Sequence, residues 1–219
     1  MSYYINLILV TLLKKTNKIN MKKLFLAITV VAFSAVTTQA QTTSFGLKGG
    51  MTSANITEKF ESVSVSLSSK IGFYAGAFAD IGVSENFGIQ PELFYSLLGA
   101  KLKGTDGDPD ASLDLGYINL PVLAKYKKDG FSAFLGPQIG YLLSAKSKSG
   151  SDTEDEKDQL KSTDFSGVIG VGYTLTNGFG FDARYQLGFT NISKDATDQG
   201  SVKNSAFMIG IHYVFNSNN

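Results

Sequence analysis

From residue 44 onward, large apolar residues alternate with small or polar ones at every second position. Period two is typical of β-strands, because successive side chains along a strand point to opposite faces of the sheet. No window after residue 41 sustains the i, i+3, i+4, i+7 apolar spacing of an amphipathic helix. The alternation therefore predicts eight strands, at Ser44–Asn55, Lys70–Ile81, Phe87–Lys103, Leu113–Tyr126, Phe131–Ser144, Phe165–Leu175, Phe179–Asn191 and Ser205–Phe215.

The connections between these strands are alternately short and long. The short ones are 82–86, 127–130 and 176–178, and the long, polar ones are 56–69, 104–112, 145–164 and 192–204. Asp129-Gly130 and Asn177-Gly178 are strong hairpin signals within the short connections. A soluble sandwich does not require this regularity, whereas an outer-membrane barrel has tight periplasmic turns and longer outward loops. The pattern favours a barrel with both chain termini on the periplasmic side.

Four of the predicted strands, the third, fourth, seventh and eighth, have one bulky apolar face and one small or polar face. In the last strand, Phe207 and Ile209 lie on the first face, and Met208 and Gly210 lie on the second. Rows of Phe, Tyr and Leu would overfill the interior of an eight-stranded barrel, which only just holds side chains. Lipid accepts such rows on the outside, and aromatic residues near the strand ends are typical of interfacial girdles. We expect an all-β protein, an eight-stranded antiparallel up-and-down transmembrane β-barrel.

Residues 21–40 have the order of a Sec export signal. Met21-Lys22-Lys23 is a short basic segment, an apolar run from Leu24 to Val36 follows, and Ala40 is the small residue expected before a cleavage site. The apolar run is shorter than the about 20 residues that a spanning helix needs. Residues 1–20 have no evident role, and we interpret them as a start-site artefact. The barrel is therefore expected to occupy residues 41–219.

The composition excludes several classes of protein. The chain has no cysteine, which excludes a disulfide scaffold and a cysteine-ligated metal. Residues 41–219 carry 15 basic and 19 acidic residues, so a basic surface for nucleic acid is not supported. His212 is the only histidine, and the strand pattern places no acid beside it, so the nucleophile–base arrangement of an enzyme is not indicated. We expect no enzymatic activity and no cofactor.

Several segments resemble a known family. Residues 116–126 (GYINLPVLAKY), Gly136-Pro137 with Gly140, residues 170–172 (GVG) and residues 184–192 (RYQLGFTNI) resemble strands of the small outer-membrane β-barrels abundant in Bacteroidetes, which include PorT-like and OmpX-like members. Asn119 stands where an acid is common in that family. The resemblance implies an outer-membrane barrel and implies no single activity, because one fold serves many functions.

Five polar residues are predicted to point into the lumen. They are Glu92, Asn119, Lys125, Asp182 and Arg184. Counting from the short connections places Lys125 nearer the periplasmic end and the other four at similar heights. Charges in so narrow a lumen must pair, because an unpaired buried charge is very costly. We expect ion pairs that plug the lumen; the alternative is a gate for a very small pore.

Two long connections are acidic. The third carries Asp152, Glu154, Asp155, Glu156 and Asp158. It is interpreted as a solvated loop, and the alternative is capture of divalent cations at the lipopolysaccharide surface. The second holds Asp106, Asp108 and Asp110 but lacks the glycine and the final glutamate of a calcium loop, so it is interpreted as a turn.

Together these observations predict an outer-membrane protein of a Gram-negative cell with a structural or surface-interaction role and a largely plugged lumen. Its expected partners are outer-membrane lipid and lipopolysaccharide, the barrel-assembly machinery, and a protein bound through the long loops. The alternatives are a porin-like channel for small solutes, a component of secretion or gliding machinery, and a soluble lipocalin-like carrier. The absence of tryptophan disfavours the carrier, because the glycine–tryptophan motif of lipocalins cannot be present.

Overall fold

The computed structural model describes residues 43–60, 63–66, 68–102, 111–149, 152–194 and 200–215. Within these ranges the strands are β1 (Thr43–Phe60), β2 (Val63–Ser66), β3 (Ser68–Gly82), β4 (Phe87–Leu102), β5 (Ala111–Lys128), β6 (Phe131–Ser149), β7 (Asp152–Asp155), β8 (Thr163–Thr174), β9 (Phe179–Gly188) and β10 (Gly200–Phe215). A 3-10 turn covers Lys157–Gln159. No helix in the described part of the chain is long and apolar enough to cross a membrane. The predicted export signal lies outside the described residues.

Eight of these strands form a closed antiparallel ring. The order is β10-β9-β8-β6-β5-β4-β3-β1, and β1 pairs with β10 to complete it. The closing ladder runs from Phe45 opposite Phe215 to Phe60 opposite Gly200. The two short strands are additions to the ring, since β2 pairs with β1 and β7 pairs with β6. The predicted eight-stranded up-and-down barrel is confirmed.

Several strands are longer at the loop end than the sequence predicts. β1 continues to Phe60 rather than ending at Asn55, and β6 continues to Ser149 rather than ending at Ser144. A membrane-spanning β-strand needs only about 9–11 residues, so these strands project beyond the bilayer. Beyond lipid a strand needs no apolar face, and residues 57–60 and 145–149 show no alternation of large apolar residues, which is why the sequence pattern predicted loops there.

The short turns define the opposite end of the barrel, called here the turn end. Lys128 pairs with Phe131 across a two-residue turn, in which Asp129 and Gly130 have φ values of 52° and 82°. Positive φ at both central positions is the type I′ arrangement that suits the twist of a hairpin. Gly178 also has a positive φ, of 86°, in the turn before β9. The two hairpin signals found in the sequence are therefore confirmed.

The bulky face of each barrel strand points outward. Leu135, Ile169 and Ile211 are between 62% and 66% exposed, although they lie well inside their strands. Soluble monomers rarely expose a contiguous apolar surface of this extent, whereas lipid accepts it. Aromatic pairs such as Phe87–Tyr126 and Phe179–Tyr213 lie at the turn end, with ring centroids 5.1 and 4.7 Å apart. They form the predicted girdle, and the outward orientation of the apolar face is as predicted.

Inward-facing glycines leave room for large side chains on neighbouring strands. A Cβ atom at Gly46 would collide with the Phe78 ring, and one at Gly170 would collide with the Phe134 ring. Phe78 and Phe134 are both buried in the lumen. The small residues therefore complement a few large ones, and together they fill the narrow bore that eight strands enclose.

We predict that a charge on the outer face is destabilising in proportion to its depth. Ile169→Arg should lower the free energy of unfolding by about 2–4 kcal/mol, the range for a cation near the bilayer midplane. Val83→Arg, at a similarly exposed residue of a short turn, should cost about 0–1 kcal/mol because it lies at the interface. The measurement is the unfolding of the barrel in lipid vesicles, followed by the mobility difference between unboiled and boiled samples. Equal losses for the two variants would contradict a lipid-facing exterior.

Candidate functional site

Arg184 spans the lumen at mid-height and contacts two acids. Its Nη1 lies 2.8 Å from Glu92 Oε2, and its Nη2 lies 2.8 Å from Asp182 Oδ1. Arg184 and Asp182 belong to β9, whereas Glu92 belongs to β4, which lies four places away in the ring of eight and therefore opposite. The guanidinium also lies 4.9 Å from the centre of the Phe134 ring. One side chain thus connects opposite walls of the barrel.

Lys48 completes this group, which is called here the central cluster (Lys48, Glu92, Asp182 and Arg184). Its Nζ lies 2.8 Å from Glu92 Oε2 and 5.5–5.6 Å from the ring centres of Phe94 and Tyr74. Two cations and two carboxylates make the cluster formally neutral. All four residues are nearly inaccessible to solvent, so each charge depends on its partners in place of water.

Lys48 was not among the residues predicted for the lumen. It lies in β1 between Gly46 and Gly50, on the small face of the strand. That position, two residues from a glycine on either side, was the available signal.

Lys125 belongs to a second group nearer the turn end, called here the lower cluster (Asp80, Gln90, Lys125 and Lys127). Its Nζ lies 2.9 Å from Asp80 Oδ2, and Lys127 Nζ lies 2.9 Å from the other oxygen of the same carboxylate. Lys125 also donates to Gln90 Oε1 at 2.8 Å, and Gln90 Nε2 donates to Glu92 Oε1 at 2.6 Å. Gln90 therefore links the two clusters. Asp80, Gln90 and Lys127 were not singled out from the sequence.

Asn119 lies in a neutral network and makes no contact with the ion pairs. Its Nδ2 donates to Ser96 Oγ at 2.9 Å, and its Oδ1 accepts from Gln138 Nε2 at 3.1 Å. Gln138 also donates to Ser166 Oγ at 3.1 Å. Of the five residues predicted for the lumen, the structure thus brings Glu92, Asp182 and Arg184 together and places Lys125 and Asn119 in separate networks.

His212 has an acidic neighbour, contrary to the sequence analysis. Its Nδ1 lies 3.6 Å from Asp182 Oδ2, and its Nε2 lies 3.0 Å from Thr174 Oγ1. The alternation within β10 could not show this contact, because Asp182 lies diagonally opposite on β9, where Gly180 pairs with His212. A side chain at Gly180 would collide with the imidazole, so the glycine leaves room for it.

The order Thr174–His212–Asp182 is that of a nucleophile, a base and an acid, but the surroundings do not suit catalysis. Asp182 is held by Arg184, and the lumenal cavity bordered by His212, Asp182 and Arg184 has a volume of about 10 Å³. That is room for about one water molecule and none for a substrate. A larger depression that also includes His212 and Asp182 is lined mainly by outward-facing apolar residues such as Leu47, Phe131 and Ile211. We derive no reaction from this arrangement.

Above the central cluster, the loop end of the lumen is filled by apolar side chains. Leu98, Leu115, Leu142 and Ile192 are almost completely buried in one group. Ile192 belongs to the connection between β9 and β10, and its carbonyl accepts from Lys161 N at 2.7 Å. Leu160, on the neighbouring connection, pairs with Ser193 and packs on the same group. This apolar group, called here the cap, was not predicted, because the sequence indicated a polar or small interior.

The acidic third connection is partly a strand. Asp152, Glu154 and Asp155 belong to β7 and are exposed, with Lys146 of β6 directly opposite Asp155. Asp158 lies in the 3-10 turn, where its carbonyl accepts from Lys194 Nζ at 2.9 Å, and Glu156 precedes that turn. The interpretation as a loop throughout is therefore wrong for residues 152–155, which pair with the projecting end of β6. Asp106, Asp108 and Asp110 lie outside the described residues.

A model of the outer membrane protein beta-barrel domain matches residues 39–194. The chain belongs to this family. Its members are outer-membrane proteins, and this barrel accordingly lies in the outer membrane, surrounded by lipid and lipopolysaccharide. A comparison with curated proteins gives no match.

One solved outer-membrane barrel has the same fold as this family member, and two others are similar to it over most of the chain. Neisserial surface protein A is 14% identical, with a TM-score of 0.51 over 80% of this chain and 99% of that one. Ail from Yersinia pestis, crystallised with the heparin analogue sucrose octasulfate, is 16% identical, with a TM-score of 0.45 over 79% of this chain and 99% of that one. OprG from Pseudomonas aeruginosa is 15% identical, with a TM-score of 0.42 over 80% and 97%. At 14% identity, the likeness to Neisserial surface protein A extends to the fold alone.

We predict that Arg184 and Glu92 are energetically coupled. Arg184→Met and Glu92→Gln should each cost about 3–5 kcal/mol of unfolding free energy, because each leaves buried charge without its partner. The double variant should lose less than the sum, by about 0.5–3 kcal/mol. The measurement is urea unfolding in detergent micelles, followed by circular dichroism.

The matched control is Arg184→Met combined with Asn119→Ala. Asn119 makes no contact with Arg184, so these two losses should add to within about 0.5 kcal/mol. Additive losses for Arg184 and Glu92 as well would contradict the coupling.

Proposed function

We propose that this protein is a closed outer-membrane barrel with a structural or surface-interaction role and a lumen too full for bulk transport. The central cluster is the observation that carries the proposal. Arg184 joins opposite walls, and the cavity beside it has a volume of about 10 Å³. The cap above the cluster supports the same conclusion, because its apolar side chains disfavour a column of water.

The surface role is supported by the parts of the strands that extend beyond the apolar exterior. β6 and β7 form an ordered hairpin whose side chains are largely exposed at its tip. Lys146 of β6 lies opposite Asp155, and Lys148 belongs to the same part of β6, so this strand pair carries charges of both signs. This mixed charge favours a protein or lipopolysaccharide partner over strong capture of divalent cations by the acidic residues alone.

A channel for small solutes is the second candidate function. Lys48, Glu92, Asp182 and Arg184 would then act as its gate, since movement of the Arg184 side chain would open the narrowest section of the lumen. A role as a component of secretion or gliding machinery, which the resemblance to PorT-like barrels permits, would use the exposed loops. A soluble lipocalin-like carrier is no longer a candidate, because the apolar face points outward. We propose no catalytic role and no cofactor.

The remaining parts of the proposal concern the route to the membrane. We propose export from the cytoplasm of a Gram-negative cell through the signal at residues 21–40, followed by insertion by the barrel-assembly machinery. The motifs of residues 116–126 and 184–192 support an origin among the Bacteroidetes barrels.

We predict that the purified barrel does not conduct ions in stepwise events across a planar bilayer. Arg184→Ala is the comparison variant, since a gate formed by Arg184 would make its conductance differ from that of the wild type. If the cap closes the lumen above the cluster, neither the wild type nor Arg184→Ala should conduct ions. Reproducible conductance steps from the wild type, at protein concentrations that exclude contamination, would favour the channel.

We predict that trypsin added to intact cells cleaves the loop end and spares the turn end. Lys157 and Lys161 lie between β7 and β8, on the side proposed to face outward, whereas Lys127 and Lys128 adjoin a short turn. Mass spectrometry of the released peptides identifies the cleaved bonds. Permeabilised cells are the control in which both ends are accessible. Cleavage at Lys128 without cleavage at Lys157 in intact cells would reverse the proposed orientation.

A further inference from the structure

Exposed lysines lie side by side on neighbouring strands at the loop end. Lys101 of β4 pairs with Ser112 of β5, and Ser112 pairs with Lys148 of β6. Directly paired residues have Cβ atoms about 5 Å apart on the same face of the sheet, so the two lysines lie about 10 Å apart on one face. Lys146 is two residues from Lys148 on the same strand and therefore shares that face. All three residues are exposed, and they are called here the lysine patch (Lys101, Lys146 and Lys148).

The lysine patch is on the outer face of the barrel. Leu98, Leu115 and Ala145 pair with one another across β4, β5 and β6 and are buried with the side chains of the cap. Successive side chains of a strand point to opposite faces. The residues three positions further towards the loop end on each strand, which include two of the patch lysines, therefore point outward.

Asp114 orders the side chains of this surface. It lies on β5, directly opposite Lys146. One oxygen of its carboxylate contacts Lys70 Nζ, and the other lies 3.3 Å from Lys148 Nζ. Lys70 belongs to β3 and reaches Asp114 across Gly99 of β4, where a Cβ atom would lie 3.3 Å from Lys70 Cδ. Lys148 is thereby directed towards the bilayer, because Asp114 lies one row nearer to the apolar exterior.

This surface has an excess of positive charge. Among the described residues, Lys70 and the three patch lysines stand against two acids, Asp114 and Asp155, so the formal charge is +2. The other two acids of β7, Asp152 and Glu154, do not compensate, because alternation places them on the opposite face from Asp155. The surface therefore favours an anionic ligand.

The lysine patch lies at the height of the lipid headgroups. Tyr141 and Leu143, which are 54% and 44% exposed, are the last large apolar residues on the outside of β6 before Lys146. Lys146 follows Leu143 by three residues, which is about 10 Å along the strand and about 8 Å in height at a tilt of about 40°. The headgroup layer on each side of a bilayer is about 5–8 Å thick. Lys146 therefore lies at the outer part of this layer, and its long side chain can reach into it.

We propose that the lysine patch binds the phosphate groups of lipopolysaccharide in the outer leaflet. Phosphate oxygens accept strong hydrogen bonds from ammonium groups, and basic side chains at a membrane surface attract anionic headgroups. Lys101 and Lys146 form no ion pair within the residues that the structure describes, so their N–H groups can donate to a ligand. The patch faces sideways from the barrel wall, where headgroups surround it, whereas a soluble partner would approach the tips of the strands. This binding rests on the proposed surface role, in which the loop end faces outward.

The test is thermal unfolding of the full barrel in an uncharged detergent at constant ionic strength, followed by circular dichroism. Diphosphorylated lipid A is added in one series, and lipid A from which the phosphates have been removed is added in a second. We expect the midpoint of the wild type to rise and saturate in the first series only, since a ligand that binds only the folded state stabilises it. Inorganic phosphate at equal concentration, in a third series, should give no shift, because it lacks the acyl chains that hold lipid A in the detergent around the barrel.

Three variants assign the response to the lysine patch. Replacement of its three lysines by glutamine should raise the lipid A concentration needed for the same shift by at least about tenfold. Replacement of the same three by arginine keeps the charge and should retain the response of the wild type. The matched control, Lys128→Gln with Lys157→Gln and Lys161→Gln, removes three positive charges elsewhere and should also respond as the wild type does.

Four results would overturn the proposal. They are an equal response of the wild type to both forms of lipid A, a response to neither form, the same shift with inorganic phosphate, and equal responses of the glutamine variant and the matched control. The last result would favour a protein partner for these lysines. Because every series uses solubilised barrel, a negative result leaves the closed barrel and its orientation in place, and these are tested separately by conductance and by trypsin.

Discussion

The bilayer requires that the backbone hydrogen bonds of the spanning segments be satisfied within the protein, because hydrocarbon offers no alternative partner. This sequence meets the requirement by closing its strands into a ring, with β1 paired to β10. Closure then determines which side chains meet. Every second residue faces lipid and can be large and apolar, while the others must fit a bore that eight strands keep narrow.

The narrow bore in turn determines the electrostatics. Charged side chains inside it have little water around them, so they persist only with counter-charges at contact distance. The central and lower clusters meet this condition, and Gln90 joins them through hydrogen bonds to Lys125 and Glu92. Towards the loop end, the ion pairs give way to Asn119 and its neutral partners, and then to the leucines of the cap. The ion pairs thus lie nearer the turn end and the cap nearer the loop end, where Asp164 and Asn204 are also buried.

The fold was predictable from local features, because the two-residue hydrophobic period and the Asp129-Gly130 and Asn177-Gly178 turns both depend only on residues that are close together in the sequence. The faces of the third, fourth, seventh and eighth predicted strands also followed from alternation alone. Contacts between distant strands did not follow. The sequence indicates that Lys125 points inward. Whether it pairs with Asp80 or with Glu92 depends on the stagger between strands, and the residue pattern within one strand does not contain that information.

Two other contacts were not predicted for the same reason, namely that the pattern within one strand does not show contacts with other strands. His212 meets Asp182 through a diagonal between two strands, and Ile192 reaches the cap through a connection that the pattern marked only as polar. The projecting ends of β1 and β6 were missed for a different reason. Outside lipid, a strand needs no apolar face, so a paired strand there does not show the alternation of apolar and polar residues from which strands are predicted.

Two contacts across the lumen have a mechanical consequence. Arg184–Glu92 joins β9 to β4, and Asn204–Tyr117 joins β10 to β5; in each case the two strands lie four places apart in the ring. The two links therefore follow neighbouring diameters at different heights. A cylinder under lateral pressure from the bilayer flattens by lengthening one diameter and shortening another, and a link of fixed length opposes the lengthening. The barrel's cross-section is consequently held close to circular by its contents as well as by its wall.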